Sequence, residues 1–218
     1  MMHSDELKKQ VVQAALSYIK EGMIIGAGTG ATANYFIEAL STSSIRIEGA
    51  VPSSLGTAAK LKACGIPVLD INSGPIALYI DSADECTPRR ELIKGGGGAL
   101  TREKIVAACS EQFLCLIEER KYVKVLGAFA LPIEVIPMAR SYVAREIVKL
   151  GANPMLRENF ITDNGNQILD IYNLNLVDPS KVEQQLNNIT GVVCNGVFAI
   201  KPADIVLMAT EKGVIKID

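Results

Sequence analysis

The sequence predicts an α/β fold class, with a parallel, doubly wound sheet followed by a smaller α+β domain. Apolar runs of strand length alternate with helical segments to about residue 126, which is typical of strands joined by crossover helices. The order β-α-β-β-α-β then follows over residues 131–200 and is that of a ferredoxin-like unit. We therefore expect one domain at 1–130 with 201–218 and a second at 131–200.

The first domain begins with a predicted helix over residues 4–21, which Ser4 can cap and Gly22 can end. A short strand at 23–25 then leads through a glycine turn into a helix over 34–40. Its other predicted elements are strands at 45–51, 66–71, 77–80 and 112–117, a helix at 55–64 and a helix that follows Leu100.

The second domain is predicted from turn signals that separate its apolar segments. Asp163-Asn164-Gly165 is typical of a hairpin turn, and Asp178-Pro179 is typical of a helix start. The predicted elements are strands at 133–136, 155–160, 167–172 and 192–200 and helices at 138–150 and 179–188. Apolar segments at 203–208 and 214–217 are expected to return to the first sheet.

Composition excludes several classes of function. A net charge of −2 and 5% aromatic residues indicate neither a nucleic-acid surface nor a polybasic membrane patch. No apolar run approaches the roughly 18 residues that a membrane span needs. The first residues lack the pattern of a signal peptide, and the five cysteines (Cys64, Cys86, Cys109, Cys115, Cys194) contain no C-x-x-C, so we expect reduced thiols in a cytoplasmic protein.

Histidine is nearly absent, since His3, in an end expected to be mobile, is the only one. This argues against a Ser-His-Asp triad, a Cys-His pair and a multi-histidine metal site. We therefore expect no metal, and chemistry performed by carboxylates, lysines and the backbone.

A glycine turn, G-A-G-T-G-A-T at 26–32, lies between a predicted strand and a predicted helix, which is the architecture of an anion-binding loop. A dinucleotide fingerprint fits poorly, because its third glycine falls on Ala31 and its acid is only loosely available at Glu48. A phosphate cradle that uses Thr29, Gly30 and Thr32 is the favoured interpretation. A purely structural tight turn is the remaining one.

The stretch from Asp81 to Lys104 carries the densest set of candidate groups. A predicted strand ends in Asp81, Asp84 and Glu85; Lys94 and four glycines follow; and Glu103 then lies in the first turn of a helix. Glycine amides, a lysine and a helix start suit an anionic substrate, and Glu103 can serve as a general base. The alternative is a flexible linker with solvated charges, but apolar segments on both sides argue against it.

Other polar residues follow strand ends as well. Ser53 lies at the carboxyl end of its strand, where ligands bind in open α/β sheets, whereas Ser54 is more simply a helix cap. Lys121 also follows a strand end, although such a lysine is usually a solvated surface charge. Because all these motifs follow strands of one parallel sheet, we expect them to form a single crevice. For Glu85 we favour a structural ion pair with an arginine such as Arg89 or Arg102.

Taken together, several motifs resemble the type A ribose-5-phosphate isomerase family along essentially the whole chain. They are G-x-G-T-G-x-T, D-x-A-D-E, K-G-G-G-x-A-L-T-R-E-K, L-P-I-E-V-I-P-M-A and I-T-D-N-G-N. The resemblance implies a Rossmann-like, mostly parallel sheet domain plus a smaller ferredoxin-like α+β domain. It also implies a metal-free aldose–ketose isomerase of the pentose phosphate pathway, acting on a sugar phosphate as a cytoplasmic homodimer without a cofactor.

Carried over residue by residue, the resemblance implies that Glu103 is the base and that Asp81, Asp84 and Lys94 are catalytic. The substrate-binding residues that it implies are Gly28, Thr29, Gly30, Ala31, Thr32, Asp81, Ser82, Ala83, Asp84, Lys94, Gly95, Gly96, Gly97 and Lys121. Lys8 matches a further family lysine. The family usually has serine at Ala31 and glycine at Ser82, and we expect these departures to affect affinity or backbone fit.

Two other functions stay open at this stage. An acyl-CoA transferase of related fold would use a glutamate nucleophile beside a glycine-rich loop, and a covalent glutamyl thioester would reveal it. A sugar-phosphate-sensing domain of a transcription regulator would need a DNA-binding module, which neither the first 22 residues nor the charge balance indicates.

Overall fold

The computed structural model describes residues 4–217, so the prediction that His3 lies in a mobile end falls outside the described residues. Within that range the chain forms two compact units. The first comprises 4–83, 102–122 and 203–217, and the second comprises 84–101 and 123–202.

The described chain contains six α-helices and thirteen strands. The helices are α1 (Ser4–Leu16), α2 (Ala31–Thr42), α3 (Leu55–Ala63), α4 (Leu100–Cys109), α5 (Arg140–Lys149) and α6 (Pro179–Asn187). The strands are β1 (Ile24–Ala27), β2 (Gly49–Pro52), β3 (Ile76–Ser82), β4 (Glu85–Cys86), β5 (Leu92–Ile93), β6 (Ser110–Glu118), β7 (Leu131–Val135), β8 (Asn153–Leu156), β9 (Gln167–Tyr172), β10 (Val192–Asn195), β11 (Val197–Phe198), β12 (Ile205–Thr210) and β13 (Gly213–Ile217).

The first unit is built on a six-stranded sheet in the order β13-β12-β6-β3-β1-β2. All its pairings are parallel except that of β13 with β12. The predicted mostly parallel sheet is therefore confirmed, as is the return of the last two segments to it. The register pairs Ala27 with Pro52 and with Ile80, so β1, β2 and β3 end at the same edge.

Helices cover both faces of this sheet, as doubly wound topology requires. Ile25 and Ile80 pack in one cluster with Val11 of α1 and Phe36 of α2. Side chains alternate along a strand, so neighbours such as Tyr79 point to the opposite face. There a Cβ placed on Gly26 would lie 2.6 Å from Val106 Cγ1, so α4 packs directly against β1.

The second unit contains an antiparallel four-stranded sheet in the order β10-β7-β9-β8, with α5 and α6 joining its strands. Its core includes Ile133, Val143 and Leu186 from the sheet and both helices. The predicted β-α-β-β-α-β unit is thus confirmed. A separate three-stranded sheet, β11-β5-β4, was not predicted.

Several predicted elements are shorter than expected, divided or absent. The strand predicted at 192–200 is divided into β10 and β11, which belong to different sheets, and the strand predicted at 155–160 ends at Leu156. The helix from Ser4 ends at Leu16 rather than at residue 21, and the strand at 45–51 is reduced to β2. The strand predicted at 66–71 is wrong, because only Val68 forms a bridge, to Ala50. Pro67 has no N–H to donate to a ladder, and a turn follows at 70–73, where Ser73 N bonds to Asp70 O.

The domain boundaries stay a prediction. The compact units group residues 84–101 and 123–130 with the second sheet, whereas the sequence pattern assigned them to the first domain. Compact grouping describes which residues pack together, whereas a domain boundary also requires that each piece fold on its own. Nowhere in residues 4–217 does a helix combine the length and apolar character needed to cross a bilayer.

Candidate functional site

The glycine turn joins β1 to α2 and lies against the end of β3. Gly28 N donates to Ile80 O at 2.9 Å, and Thr29 N donates to Asp81 Oδ1 at 3.2 Å. A Cβ on Gly28 would come within 2.1 Å of the Asp81 carboxyl carbon, so only glycine permits this approach. The turn and Asp81, predicted to converge from separate motifs, are therefore in direct contact.

Hydroxyl groups fill the space between the turn and α3. Thr29 Oγ1 lies 2.8 Å from Ser53 Oγ and 3.1 Å from Thr57 Oγ1. Thr57 Oγ1 donates to Gly28 O at 2.8 Å, which holds the turn to the first turn of α3. Ser54 accepts from Thr57 N at 3.0 Å, so the prediction that Ser54 caps α3 is confirmed.

Asp81 is buried, with 1% of its surface exposed, and accepts hydrogen bonds on both oxygens. Oδ1 accepts from Thr29 N and from Ser82 N, the latter at 2.7 Å. Oδ2 accepts a short hydrogen bond from the Tyr79 hydroxyl. Three donors therefore fix the orientation of this carboxylate at the end of β3.

Tyr79 lies fully buried beneath the site, stacked on Phe113 with 4.9 Å between ring centroids. Burial raises the pKa of its phenol well above the usual value, and the negative charges of Asp81 and Glu103 and the hydrogen bond to Asp81 raise it further, while a hydrogen bond from Ser53 lowers it. Tyr79 is therefore a neutral hydrogen-bond donor. Two carboxylates from different motifs act on this one hydroxyl.

Glu103 lies in the first turn of α4 with 4% of its surface exposed. The helix dipole at that position favours a negative charge. The negative charge of Glu103, like that of Asp81, raises the pKa of the Tyr79 phenol. The two carboxylates therefore lie near the same hydroxyl group of the first unit.

The remaining predicted residues of this unit are distributed as follows. Lys121 Nζ donates to Ala83 O at 2.6 Å, so the lysine after β6 holds the backbone beyond β3 rather than extending into solvent. Thr32 is buried in α2, whereas Gly30 and Ala31 are exposed at the start of that helix. Lys8 pairs with Asp5 within α1 at 3.0 Å.

Glu118, at the end of β6, ties α1 to the site edge. Its carboxylate accepts from Ser4 Oγ at 2.7 Å and from two nitrogens of Arg120 at 3.1 and 3.2 Å. Burial by itself raises the pKa of Glu118, but these hydrogen bonds and the charges of Arg120 and Lys121 outweigh burial, so the pKa lies below 4.5, its ordinary value.

We expect Glu118 to make unfolding pH-dependent in acid. A carboxyl whose pKa is lower in the folded state stabilises fully above its unfolded pKa, and this stabilisation is lost as the pH falls through the folded pKa. The difference in Tm between wild type and Glu118→Gln should therefore shrink below about pH 4.5. Thermal scans at several pH values measure it, with the exposed neighbour variant Glu119→Gln as control. A difference that stays constant or grows in acid would contradict this role.

In the second unit, Asp84 and the glycine segment are in contact. Gly96 N donates to Asp84 Oδ2 at 2.8 Å, so this amide, expected to bind substrate, is already engaged. Arg157 donates to Gly95 O at 3.3 Å and to Gly96 O at 3.2 Å, and its guanidinium forms a bidentate pair with Asp170. Arg157 therefore binds two carbonyl groups of the glycine segment, and Asp170 fixes the position of Arg157.

Lys94 immediately precedes this segment and is almost completely buried, with 2% of its surface exposed. Its backbone N–H donates to Gly196 O at 2.9 Å, and its ammonium nitrogen lies 5.7 Å from the centroid of the Phe198 ring. A lysine this deeply buried is unusual, because a buried ammonium group needs partners for its charge.

Glu85 has a structural role, but not the ion pair that we favoured. Its carboxylate accepts from Gly127 N at 2.7 Å and from Phe129 N at 2.6 Å, while Arg89 pairs with Glu91 at 3.5 Å. Backbone amides of the segment before β7 therefore take the place of the expected arginine.

Sequence reasoning missed three polar residues that shape these sites: Tyr79, Thr57 and Arg157. Tyr79 had a usable signal, because it lies two residues before Asp81 and so on the same face of β3. Thr57 and Arg157 contact glycine segments far away in the sequence, and nothing local marks those contacts.

The described residues also bear on metal and thiol chemistry. Within 4–217, no three or more His, Cys, Asp or Glu side chains are grouped as metal ligands. All five cysteines lie in this range, and none forms a disulfide.

Comparison with known proteins gives a consistent result. A family model described as ribose 5-phosphate isomerase A (phosphoriboisomerase A) matches residues 49–213. A crystal structure of ribose 5-phosphate isomerase A from Neisseria gonorrhoeae shares 44% identity over 100% of this chain and 98% of that one, with a TM-score of 0.98.

Two further structures are similar over their whole length. A D-ribose-5-phosphate isomerase in complex with phospho-erythronic acid shares 38% identity, with full coverage of both chains and a TM-score of 0.96. A ribose 5-phosphate isomerase from Plasmodium falciparum shares 30% identity over 98% of each chain, with a TM-score of 0.91.

Proposed function

The chain belongs to the ribose 5-phosphate isomerase A family and is an isomerase, and on this premise we propose that it interconverts D-ribose 5-phosphate and D-ribulose 5-phosphate through an enediolate, without a metal. In this proposal Glu103 is the general base. The reaction places the enzyme in the non-oxidative branch of the pentose phosphate pathway.

One observation carries the proposal: a glycine turn contacts Asp81, and the charges of Asp81 and Glu103 both act on the Tyr79 hydroxyl. Aldose–ketose isomerisation needs one group for the carbon-bound proton and another for the hydroxyl protons. Two buried carboxylates beside an anion-binding turn supply both types of group.

The proton transfers follow from the substrate. Ring opening moves a proton from the C1 hydroxyl to the ring oxygen, and Asp81 relays it. Glu103 then removes the proton from C2, and the electrons of that bond form the C1–C2 double bond of the enediolate. As this double bond forms, the electrons of the C1 carbonyl move onto O1. Glu103, whose proton exchanges with solvent, then protonates C1, and the proton of the C2 hydroxyl moves to O1, which gives the ketose with every atom conserved. A single carboxylate between the two carbons performs both carbon transfers.

The enediolate oxygen needs donors that are already in place. We assign this role to Lys94 and to the N–H groups of Gly95 and Gly97, on the strength of their chemistry and their place in the motif. Asp84 and Gly96 have an indirect role, because the hydrogen bond between them orients the glycine segment.

The phosphate is assigned to the turn that contains Thr29, Gly30, Ala31 and Thr32, where backbone N–H groups and the start of α2 favour an anion. Gly28, Ser82, Ala83 and Lys121 complete the proposed substrate contacts. A relative binds phospho-erythronic acid, whose planar carboxylate beside sugar hydroxyls resembles an enediolate. We expect this chain to bind the same compound as a competitive inhibitor.

We further propose that the enzyme is a cytoplasmic homodimer with neither nucleic acid nor membrane as a partner. Five cysteines without a disulfide among the described residues suit a reducing compartment. Size-exclusion chromatography with light scattering measures the oligomeric state directly.

The function is tested by ketose formation from ribose 5-phosphate with purified protein in excess chelator. We expect full turnover, equal to that of a sample without chelator. Loss of turnover in chelator, restored by a divalent metal, would contradict the metal-free mechanism. Inactivity under every condition would contradict the assignment of the substrate.

A further inference from the structure

A continuous row of hydroxyl groups connects the glycine turn to Asp81. It runs from Thr29 at the turn, through Ser53 after β2, to Tyr79 in β3 and so to the carboxylate. Ser53 and Tyr79 are both completely buried. Neither residue takes part in the chemistry assigned above.

Counting hydrogens gives this row a direction. A carboxylate oxygen can only accept, so Tyr79 uses its one hydrogen on Asp81 Oδ2. The hydrogen bond between Ser53 and the phenol oxygen must then be donated by Ser53. Ser53 has no second hydrogen, so the hydrogen between Ser53 and Thr29, whose oxygens lie 2.8 Å apart, comes from Thr29. The longer contact of Thr29 with Thr57, at 3.1 Å, then carries no hydrogen, because Thr57 donates to Gly28 O. The donors all point towards Asp81.

We propose that Tyr79 is a positioning residue for the reaction: it holds Asp81 as an oriented carboxylate and links that carboxylate through Ser53 to Thr29 in the turn assigned to the substrate. The inference rests on the proposed catalytic role of Asp81.

The surroundings of Tyr79 make it suited to this task. The ring is fixed by stacking on Phe113, so the hydroxyl has little freedom. The charged groups that act on the phenol are Asp81 and Glu103, and both disfavour its ionisation. Tyr79 therefore stays a donor whenever Asp81 is an acceptor. A ligand that moves Thr29 therefore affects Asp81 both directly, through the Thr29 N–H, and through the row of hydroxyl groups.

The main test is Tyr79→Phe, which keeps the ring and its stacking but removes the hydroxyl. A hydrogen bond to a charged group is lost, so we expect kcat to fall roughly 10- to 100-fold with little change in KM. A merely structural role would lower Tm without this selective loss of kcat. The exposed Tyr172→Phe makes the same chemical change elsewhere and should behave as wild type.

Ser53→Ala provides a second variant that leaves the Tyr79–Asp81 hydrogen bond in place. We expect a smaller fall in kcat, of a few-fold, again with little change in KM. If circular dichroism shows that Tyr79→Phe is unfolded, the Ser53 variant decides the question alone. A folded Ser53→Ala protein with wild-type kcat would then overturn the inference.

Asp81→Asn separates this inference from the function on which it rests. Wild-type turnover in that variant would remove Asp81 from the reaction and the inference with it. If Asp81→Asn is inactive while Tyr79→Phe lowers only Tm and keeps the wild-type kcat and KM, Tyr79 is merely structural. The inference alone then fails.

Discussion

Replacing Glu103 by glutamine should lower kcat by roughly 10³-fold and leave KM within a few-fold of wild type. The amide keeps the size of the side chain and its place in the first turn of α4 but cannot accept the proton from C2. Steady-state assays with ribose 5-phosphate, run in both directions, measure the effect. The loss should be equal in the two directions, since one group serves both transfers.

A matched control is Glu111→Gln, which makes the same change at an exposed position of β6 in the same unit. We expect it to keep wild-type kcat. Turnover within tenfold of wild type in Glu103→Gln would remove Glu103 from the role of base. A large rise in KM at unchanged kcat would instead identify it as a substrate-binding group.

Replacing Glu134 by alanine should produce the largest loss of stability in the second unit. Glu134 is completely buried in β7 and accepts from the hydroxyls of Thr101 and Thr162 and from the side-chain amides of Asn164 and Asn166. Alanine leaves four donors without their acceptor and opens a cavity. We expect the free energy of unfolding to fall by roughly 3 kcal/mol or more.

Differential scanning calorimetry measures this loss, which corresponds to a decrease in Tm of about 10 °C for a chain of this size. The exposed Glu158→Ala removes a carboxylate from the same unit and should change Tm by no more than a degree or two. Glu134→Gln retains one acceptor and should lie between the two. A Tm of Glu134→Ala equal to that of the control would show that the hydrogen bonds contribute nothing net.

Glu134 also explains two motifs to which the reaction chemistry gives no role. L-P-I-E-V-I-P supplies the carboxylate, and I-T-D-N-G-N supplies three of its donors, at 2.8–3.1 Å. The remaining donor, Thr101, lies two residues before Glu103 in the same helical turn. The sequence pattern marked these motifs as characteristic but did not indicate that one buried carboxylate joins them.

The regular elements could be predicted where their pattern is long. The strands β3, β6 and β9 are six or more residues long, and their observed bounds lie within two residues of the predicted ones. Two-residue strands such as β4 and β5 show no periodicity, because their pairing depends on partners distant in the chain. The error at 66–71 has the opposite cause, since an apolar run there is interrupted by Pro67 and leaves only one bridge.

The site could be predicted as far as its chemistry is local. Gly28 and Asp81 belong to separate motifs, and the rule that parallel strands end at one edge correctly brought them together. Tyr79 was missed because a tyrosine in an apolar strand is normally interpreted as a core residue. Its stacking on Phe113 shows that it is also part of the core. The hydrogen bond between Asp84 and Gly96 was missed because the sequence does not indicate which acceptor a glycine N–H already has in the folded chain.

The fate of the C2 hydrogen in D₂O tests directly whether Glu103 acts as a base through an enediolate. We expect prolonged reaction to place solvent deuterium at C1 of ribulose 5-phosphate and C2 of ribose 5-phosphate, as NMR would show. Glu103→Gln should incorporate none on the same time scale. Rapid wild-type turnover with no deuterium at either carbon would indicate direct hydride transfer and contradict a glutamate base acting through an enediolate.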